Sequence, residues 1–220
     1  ILGTGINSCG SLAPVNAPVA SAQKEAMVRA FAQARRDPRE VDFVELHATG
    51  TAMGDPTEAN WVAKEFSRDD ELVIGSLKGN VGHLEITAFL ASLCKVCSIF
   101  ETGMIPPNVN LKTPNPAIKW KEYKLRVPLE PEPLAVRASS GRGLVAMTSS
   151  GIGGSNGHCV VEGPPAVSPK PSSFWINAFD VPLLYVAAGL SPRSASASAT
   201  DIVDRVGAWA GDVQQAAARA

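Results

Sequence analysis

The sequence predicts an α/β fold whose mainly parallel sheet is covered by helices on both faces. Between residues 21 and 100, segments with helical spacing of apolar residues alternate with short apolar runs of strand length, in the order helix, strand, helix, strand, helix. A composition of 45% apolar and 19% charged residues over 220 positions is that of a globular chain with a sizeable core.

The first helix is predicted at residues 21–36, because apolar side chains recur there at helical spacing and stop before the Asp-Pro pair at residues 37–38. No helix or strand is predicted before it. Since the chain starts at Ile1 rather than at a methionine, we expect it to be a piece of something longer.

A strand is predicted at residues 41–46, followed by a second helix. That helix is expected to begin at Asp55, which acts as the cap, with Pro56 in the first helical position and Glu58 as the reciprocal partner of a capping box. The next strand is predicted at residues 71–76.

Residues 84–100 form the most apolar long segment of the chain. The segment is shorter than the ~20 residues that a bilayer requires and contains Glu85 and Lys95, so it does not predict a membrane span. A helix that is apolar nearly all round is typical of a protein interior. Cys94 and Cys97 are therefore predicted to be core residues rather than a redox or zinc pair.

Beyond Gly103 the chain is rich in proline and predicts an irregular loop, followed by three short strands at residues 124–128, 144–148 and 159–162. The predicted domains are a main domain at 1–163, a Pro/Ser-rich linker at 164–180 and the start of a small α/β domain at 181–220. In the last part, a strand is predicted at 182–188 and a helix from Ser198 onward.

Net charge and cysteine content narrow the class of protein. The formal net charge is -1 and the chain has no long basic run, which argues against a nucleic-acid or membrane partner. Four cysteines among mostly aliphatic neighbours fit a reducing interior, so we expect a cytoplasmic protein.

The chemistry is predicted to reside in His47 and His83. Each lies where a predicted strand runs into a Gly-rich loop, the place where α/β enzymes present an imidazole to substrate. Thr49 and Thr51 flank the first histidine, and small residues there let a ligand approach. Two imidazoles, with backbone N–H groups of the following helix, suit a developing oxyanion such as an enolate.

Two other polar residues, Lys78 and His158, lie near these motifs or in the glycine turn. Lys78 leaves a buried strand five residues before His83, and we expect it to form a positioning ion pair with Glu85. His158 is predicted to be structural. No metal is expected, since no histidine pair has ligand spacing, and no cofactor is expected, since the glycine turn from Gly151 departs from nucleotide-binding patterns.

Four motifs together resemble the β-ketoacyl synthase domain of type I polyketide and fatty acid synthases, particularly those of fungi. They are HATGTAMGDPTE at residues 47–58, GSLKGNVGHLE at 75–85, IPPN at 105–108 and GIGGSNGH at 151–158. They run in the family's order as far as about Gly163, and the rest resembles the beginning of the linker between ketosynthase and acyltransferase. The chain departs from the usual pattern at Ala48, at residues 86–89, where Ile86 and Phe89 add bulk, and in the glycine turn, where Ser150 and Ile152 stand in place of a frequent Phe.

The resemblance implies a thiolase-like fold of two packed α/β halves, of which this chain supplies the second. It implies decarboxylative Claisen condensation, with His47 and His83 as the active-site histidines and Lys78 with Glu85, Thr49, Thr51 and Asn80 in supporting roles. A gating loop is implied as well, formed by Gly151, Ile152, Gly153, Gly154 and Asn156.

The family's nucleophilic cysteine belongs to the first half, so this chain is expected to be inactive alone. The implied partners are the N-terminal half of the ketosynthase domain, an acyl carrier protein with its phosphopantetheine arm, the acyltransferase domain of the same synthase, and a second copy in a homodimer. Two alternatives stay open, a non-catalytic interaction module and another thiolase-like acyltransferase such as a thiolase. The absence of a cysteine in a matching Gly-rich motif argues against the thiolase.

Overall fold

A computed structural model of the chain describes residues 1–10, 14, 17–138, 140–164, 196, 197, 200, 203 and 204. The chain divides into two compact units, Ile1–Lys170 and Pro171–Ala220. The predicted linker, apart from residue 164, and the predicted strand at 182–188 lie outside the described residues. The same holds for most of the helix predicted from Ser198, of which residues 200, 203 and 204 are described as helical.

The first unit is built on a six-stranded sheet with a separate two-stranded sheet beside it. Its strands, in chain order, are β1 (Gly3–Ser8), β2 (Phe43–Glu45), β3 (Leu72–Gly75), β4 (Met104–Ile105), β5 (Leu125–Arg126), β6 (Glu132–Pro133), β7 (Leu144–Ser150) and β8 (Ser155–Glu162). The large sheet has the order β1-β8-β7-β2-β3-β5, and only β8 runs antiparallel to its neighbours. The smaller sheet pairs β4 with β6.

Helices cover both faces of the large sheet, which confirms the predicted α/β architecture. They are α1 (Ala20–Ala34), α2 (Gly54–Glu65), α3 (Lys78–Val81) and α4 (Ala88–Thr102). On one face, α1 and α2 bury a core that includes Phe31, Val62 and Val44. On the other face, Val96 and Ile99 of α4 pack with Phe43 and neighbouring strand residues.

Strand β1 was missed in the sequence, and the prediction that no strand precedes residue 21 is wrong. The segment is poor in strand-forming residues because α1 lies very close to it. A Cβ atom at Gly3 would stand 2.1 Å from the backbone oxygen of Ala30, and one at Gly5 would stand 2.0 Å from that of Ala26. The glycines that make the segment look irregular are therefore the residues that allow the helix to pack against it.

The start of α2 differs from the predicted capping box. The helix begins at Gly54, whose N–H donates to Oγ1 of Thr51 at 3.0 Å. Asp55 instead accepts a hydrogen bond from the N–H of Gly50, and Glu58 turns toward the loop that carries His47. Asp55 and Glu58, which the sequence pattern identifies as a helix cap, instead form contacts between α2 and the loop before it.

Helix α4 is not buried all round, so that prediction is also wrong. A 3-10 turn at Glu85–Thr87 precedes it, and its buried residues are Ala88, Ser92, Lys95, Val96 and Ile99. Cys94 and Cys97, predicted to be core residues, are exposed. Around the start of the helix, Ile86 is 97% exposed and Leu90 is 57% exposed, so this part of the chain presents an apolar surface.

Strands β2, β3, β5, β7 and β8 agree in position with predicted strands, with different ends. Strands β4 and β6 and the short helix α3 were not predicted, because each lies in a segment whose prolines or glycines indicate an irregular loop. Strands β7 and β8 extend further toward each other than predicted, so the glycine turn between them shortens to residues 151–154. No helix among the described residues is long and apolar enough to cross a membrane.

Candidate active site

The candidate site lies at the carboxyl edge of the large sheet. Strands β1, β2, β3 and β7 run in one direction, so their carboxyl ends share that edge, and β8 starts there. His47 follows β2, the turn that leads to His83 follows β3, and the glycine turn at 151–154 follows β7. The topology thus places three of the predicted motifs on one edge.

His47 is anchored through its backbone, which leaves the ring free. Its N–H donates to Oε1 of Glu58 at 2.8 Å and to Oγ1 of Thr148 at 3.0 Å. The ring is half-buried, and its Nδ1 atom has no hydrogen-bond partner among the described residues. Burial, helped by the positive charges of Lys78 and His83, lowers the pKa of His47 to about 4. The imidazole is therefore neutral at pH 7.

Glu58 organises the loop that carries His47. Its carboxylate is buried and accepts hydrogen bonds from the N–H groups of His47 and Ala48, each at 2.8 Å, and from the hydroxyl of Thr148. Burial raises the pKa of Glu58, although these hydrogen bonds oppose the shift. One side chain on α2 thereby fixes both the loop and its distance from β7.

His83 stands against His47. The ring centroids are 5.6 Å apart and the ring planes are nearly perpendicular, at 87°. Nδ1 of His83 accepts a hydrogen bond from the N–H of Glu85 at 3.0 Å, which assigns the proton of the neutral ring to Nε2. The side chain is exposed, so this N–H is available to a ligand.

Lys78 lies beside the histidines but does not pair with Glu85, so the predicted ion pair is wrong. The carboxylates whose charges act on Lys78 are those of Glu58, Glu45 and Asp55. Glu85 is exposed and has a left-handed backbone conformation, with φ of 50°, which places its N–H on the His83 ring. Burial lowers the pKa of Lys78 against the opposing effect of the three carboxylates.

The other residues named from the sequence hold neighbouring segments. Thr51 caps the first turn of α2 through its hydroxyl, as described above, and Thr49 is half-buried in the same loop. The side-chain amide of Asn80 donates to the backbone oxygen of Pro107 at 3.3 Å, which joins α3 to the IPPN segment.

The glycine turn requires its glycines. Gly153 and Gly154 have φ angles of 98° and 86°, which other residues rarely adopt, while Ile152 is 90% exposed. The buried side chain of Asn156 anchors the turn, since its Nδ2 donates to the backbone oxygen of Gly154 at 3.1 Å and approaches Sγ of Cys9 at 3.3 Å.

A cavity of about 510 Å³ opens beside the His47 loop, between the start of α2 and the Pro-rich segment. Leu46, Ile74 and Trp120 contribute to its apolar wall, and Asp55 and Asn108 are among its polar lining residues. Burial at this wall raises the pKa of Asp55, and hydrogen bonds from backbone N–H groups oppose the shift.

A buried ion pair near the site was not predicted from the sequence. Glu45 on β2 and Lys95 on α4 form this pair, at 2.7 Å. Each residue stands inside an apolar run, and only Lys95 was noted, as a charge that argues against a membrane span. A charged residue at a core-facing position of such a run is the signal that identifies both.

His158 lies away from this cluster in the core, as predicted for a structural residue. Its ring is close to those of Phe31, Trp61 and Phe66, at centroid distances of 5.7, 6.5 and 6.3 Å. Burial lowers the pKa of His158 to about 3. Within the part of the chain that the structure describes, no three His, Cys, Asp or Glu side chains are grouped so as to hold a metal ion.

Comparison with known proteins gives consistent matches along the chain. Residues 1–112 match the family model "Beta-ketoacyl synthase, C-terminal domain", and residues 114–212 match "Ketoacyl-synthetase C-terminal extension". A highly reducing polyketide synthase of Strobilurus tenacellus, stpks1, is 51% identical over 202 residues, which are 92% of this chain and 7% of that protein.

Two solved structures are similar in fold. The oxazolomycin ketosynthase domain OzmH KS7 of Streptomyces albus JA3453 is 28% identical with a TM-score of 0.70, over 77% of this chain and 32% of that one. The ketosynthase from module 6 of the bacillaene synthase of Bacillus subtilis 168 is 30% identical with a TM-score of 0.70, over 74% and 30% of the two chains. The chain thus spans a small part of its curated relative and about a third of these structures.

Proposed function

Because the chain belongs to the β-ketoacyl synthase family, as the C-terminal part of a polyketide synthase ketosynthase, we propose that it provides the decarboxylation site for carbon–carbon bond formation. The reaction is a decarboxylative Claisen condensation between an acyl thioester and a malonyl unit on an acyl carrier protein. The chain is an acyltransferase of the 3-oxoacyl-[acyl-carrier-protein] synthase type in combination with the half that brings the nucleophilic cysteine, and is inactive alone.

The observation that carries this proposal is the approach of His47 and His83 to 5.6 Å between ring centroids. When the malonyl carboxylate leaves as carbon dioxide, the electron pair of the broken C–C bond passes into the thioester as an enolate. The enolate oxygen accepts hydrogen bonds from the ring N–H groups of the two histidines, which stabilises the charge as it forms. The enolate carbon then attacks the acyl carbonyl, and the cysteine thiolate departs.

The low pKa of His47 supports the same role. A ring that is neutral at pH 7 donates through one nitrogen without carrying its own charge, and for His83 the hydrogen bond from Glu85 leaves Nε2–H as the donor. Two N–H groups aimed at one oxygen are the arrangement that an oxyanion requires. Lys78 adds a positive charge beside them, Glu58 holds the loop, and the turn at 151–154 gates access.

Exposed apolar side chains around the start of α4 support the proposed contact with the half of the ketosynthase domain that carries the nucleophile. Val81, Leu84, Ile86 and Leu90 are 51%, 42%, 97% and 57% exposed, and they surround the start of α4. Exposed apolar side chains that lie this near to one another along the chain favour an interface. We assign it to the N-terminal half of the ketosynthase domain. The other partners are the acyl carrier protein with its phosphopantetheine arm, the acyltransferase domain and a second copy in a cytoplasmic homodimer.

The test is to co-express this chain with the N-terminal half of a ketosynthase and to measure carbon dioxide release from malonyl carrier protein. We expect release from the assembled pair and none from the chain alone. His47→Ala and His83→Ala should each lower the rate at least ~100-fold. His158→Leu, which removes the third histidine of the chain from the core, is the matched control and should keep the rate.

Soluble, assembled material that releases no carbon dioxide would contradict the proposal. Capture of the carrier protein by such inactive material would instead support a non-catalytic interaction module.

A further inference from the structure

Glu45 is a fully buried carboxylate that connects three segments of the site. It lies on β2, two residues before His47, and is 0% exposed. Its Oε1 accepts a hydrogen bond from the N–H of Leu77 at 2.7 Å and one from the hydroxyl of Ser92 at 3.2 Å. Its Oε2 pairs with Nζ of Lys95 at 2.7 Å.

These contacts are distributed around the two histidines. Leu77 immediately precedes Lys78 and the short helix that leads to His83, while Ser92 and Lys95 belong to α4, which follows His83. The carboxylate therefore ties the strand before His47 to the segments before and after His83. A shift of any one segment relative to the others breaks at least one of these contacts.

The local packing does not require a charge at this position. Phe43 occupies the same face of β2 in an apolar layer with Val96 and Ile99, and the Lys95 ammonium lies 4.9 Å from the Phe43 ring centroid. Replacing a buried ion pair in such a layer by an apolar pair of similar volume is often neutral or stabilising. The charged pair is thus better explained by the geometry that it imposes than by the stability that it adds.

We propose that Glu45, neutralised by Lys95, is a positioning residue that sets the distance and angle between His47 and His83. Glu45 touches neither substrate nor the reacting atoms. It acts through the hydrogen bond to Leu77, which fixes the start of the turn that carries Lys78 and His83. This role rests on the proposed decarboxylation, which gives the positioning its purpose.

Two double variants separate positioning from packing. Glu45→Gln with Lys95→Met removes both charges but keeps a side-chain oxygen for the N–H of Leu77. Glu45→Leu with Lys95→Met removes the charges and that acceptor together. Both should fold, because neither leaves an isolated buried charge. The Lys95 change is the same in the two, so they differ only in the connection to Leu77 and Ser92.

The variants are assembled with the N-terminal half, and kcat and KM are measured for carbon dioxide release from malonyl carrier protein. We expect the Gln variant to stay within ~3-fold of the unsubstituted chain in kcat and the Leu variant to lose at least ~10-fold, with KM unchanged in both. Equal kcat values in the two double variants, with equal unfolding temperatures, would overturn the proposal.

A second readout does not depend on catalysis. The chain has three histidines, so each ring can be assigned by single substitution and titrated by NMR after 13C labelling at Cε1. His47 should keep its low pKa in the Gln variant and move toward its ordinary value in the Leu variant, because a displaced loop exposes the ring. The same His47 titration in both would overturn the proposal. If the unsubstituted assembly releases no carbon dioxide, the proposed function fails, and the titration still decides the positioning role.

Discussion

The buried histidine of the aromatic core makes the stability of this protein depend on pH in a way that can be calculated. His158 is 3% exposed, and neither ring nitrogen has a hydrogen-bond partner among the described residues. Its pKa in the folded chain is about 3, against an ordinary value of 6.5. The folded protein therefore keeps the ring neutral, while the unfolded chain takes up a proton as the pH falls below 6.5.

The lowered pKa of His158 determines how the stability of the protein changes with pH. The contribution of His158 to stability is complete above pH 6.5 and declines as the pH falls toward 3. Each pH unit in that interval corresponds to about 1.4 kcal/mol. Between about pH 7.5 and about pH 5, we expect the free energy of unfolding to decrease by about 2 kcal/mol through this residue alone.

His158→Leu removes the titrating ring and places a side chain of similar size among Phe31, Trp61 and Phe66. The variant and the unsubstituted chain, each assembled with the same N-terminal half at the same concentration, are unfolded in urea at about pH 7.5 and about pH 5. The loss of stability between the two pH values should be about 2 kcal/mol smaller in the variant. The other titrating groups, His47 included, contribute equally to both proteins and cancel.

Ile99→Val is the matched control, because it removes a methyl group from the core on the other face of the sheet and no titrating group. The pH dependence of its stability should follow that of the unsubstituted chain. If His158→Leu loses as much stability as the unsubstituted chain between the two pH values, the ring is not held neutral by burial and the reasoning is refuted.

Two further predictions concern the packing of α1 against β1 and the association of the isolated chain. Gly5→Ala should cost about 1–3 kcal/mol of unfolding free energy, because the new Cβ meets the backbone of α1, whereas Gly157→Ala on β8, whose nearest neighbour is 3.8 Å away, should cost less. Equal urea midpoints for the Gly5→Ala and Gly157→Ala variants would show that α1 does not pack closely enough against β1 to exclude a Cβ atom. The isolated chain should associate in analytical sedimentation, and Ile86→Lys with Leu90→Lys should shift it toward monomer, whereas Val28→Lys on α1 should not. Association that persists in the double variant would show that the chain associates through a surface other than the one around Ile86 and Leu90.

The sequence was most informative where the local pattern and the tertiary structure agree. The apolar runs that became β2 and β3, and the amphipathic spacing of α1, predicted their elements because burial on a face follows directly from side-chain periodicity. The motif of His47 was placed correctly at a strand end for the same reason, whereas His83 lies beyond the short helix α3 that follows β3.

The sequence was misleading where a residue serves a distant partner. Gly3 and Gly5 look like a loop because the reason for them, the approach of α1, lies more than twenty residues along the chain. Glu58 looks like a helix cap, but its carboxylate binds a different loop. Glu45 and Lys95 form a pair across the sheet-helix interface, and no local spacing connects two residues fifty positions apart.

Helix α4 shows a third kind of error. Its composition predicts burial on every side, and in this chain one side is exposed. The composition reflects the assembled domain that we propose, in which the N-terminal half covers that side. The burial of such a helix can be predicted correctly from its composition only for the assembled domain, because the partner covers one of its sides.

The central claim is that His47 and His83 act together on one developing negative charge. A double-mutant cycle on carbon dioxide release from malonyl carrier protein, with His47→Ala, His83→Ala and the double variant in the assembled pair, tests it most directly. We predict strong non-additivity, in which the double variant is hardly slower than either single variant, as for groups that work as a unit. Fully additive losses, or a single variant with an unchanged rate, would contradict the claim.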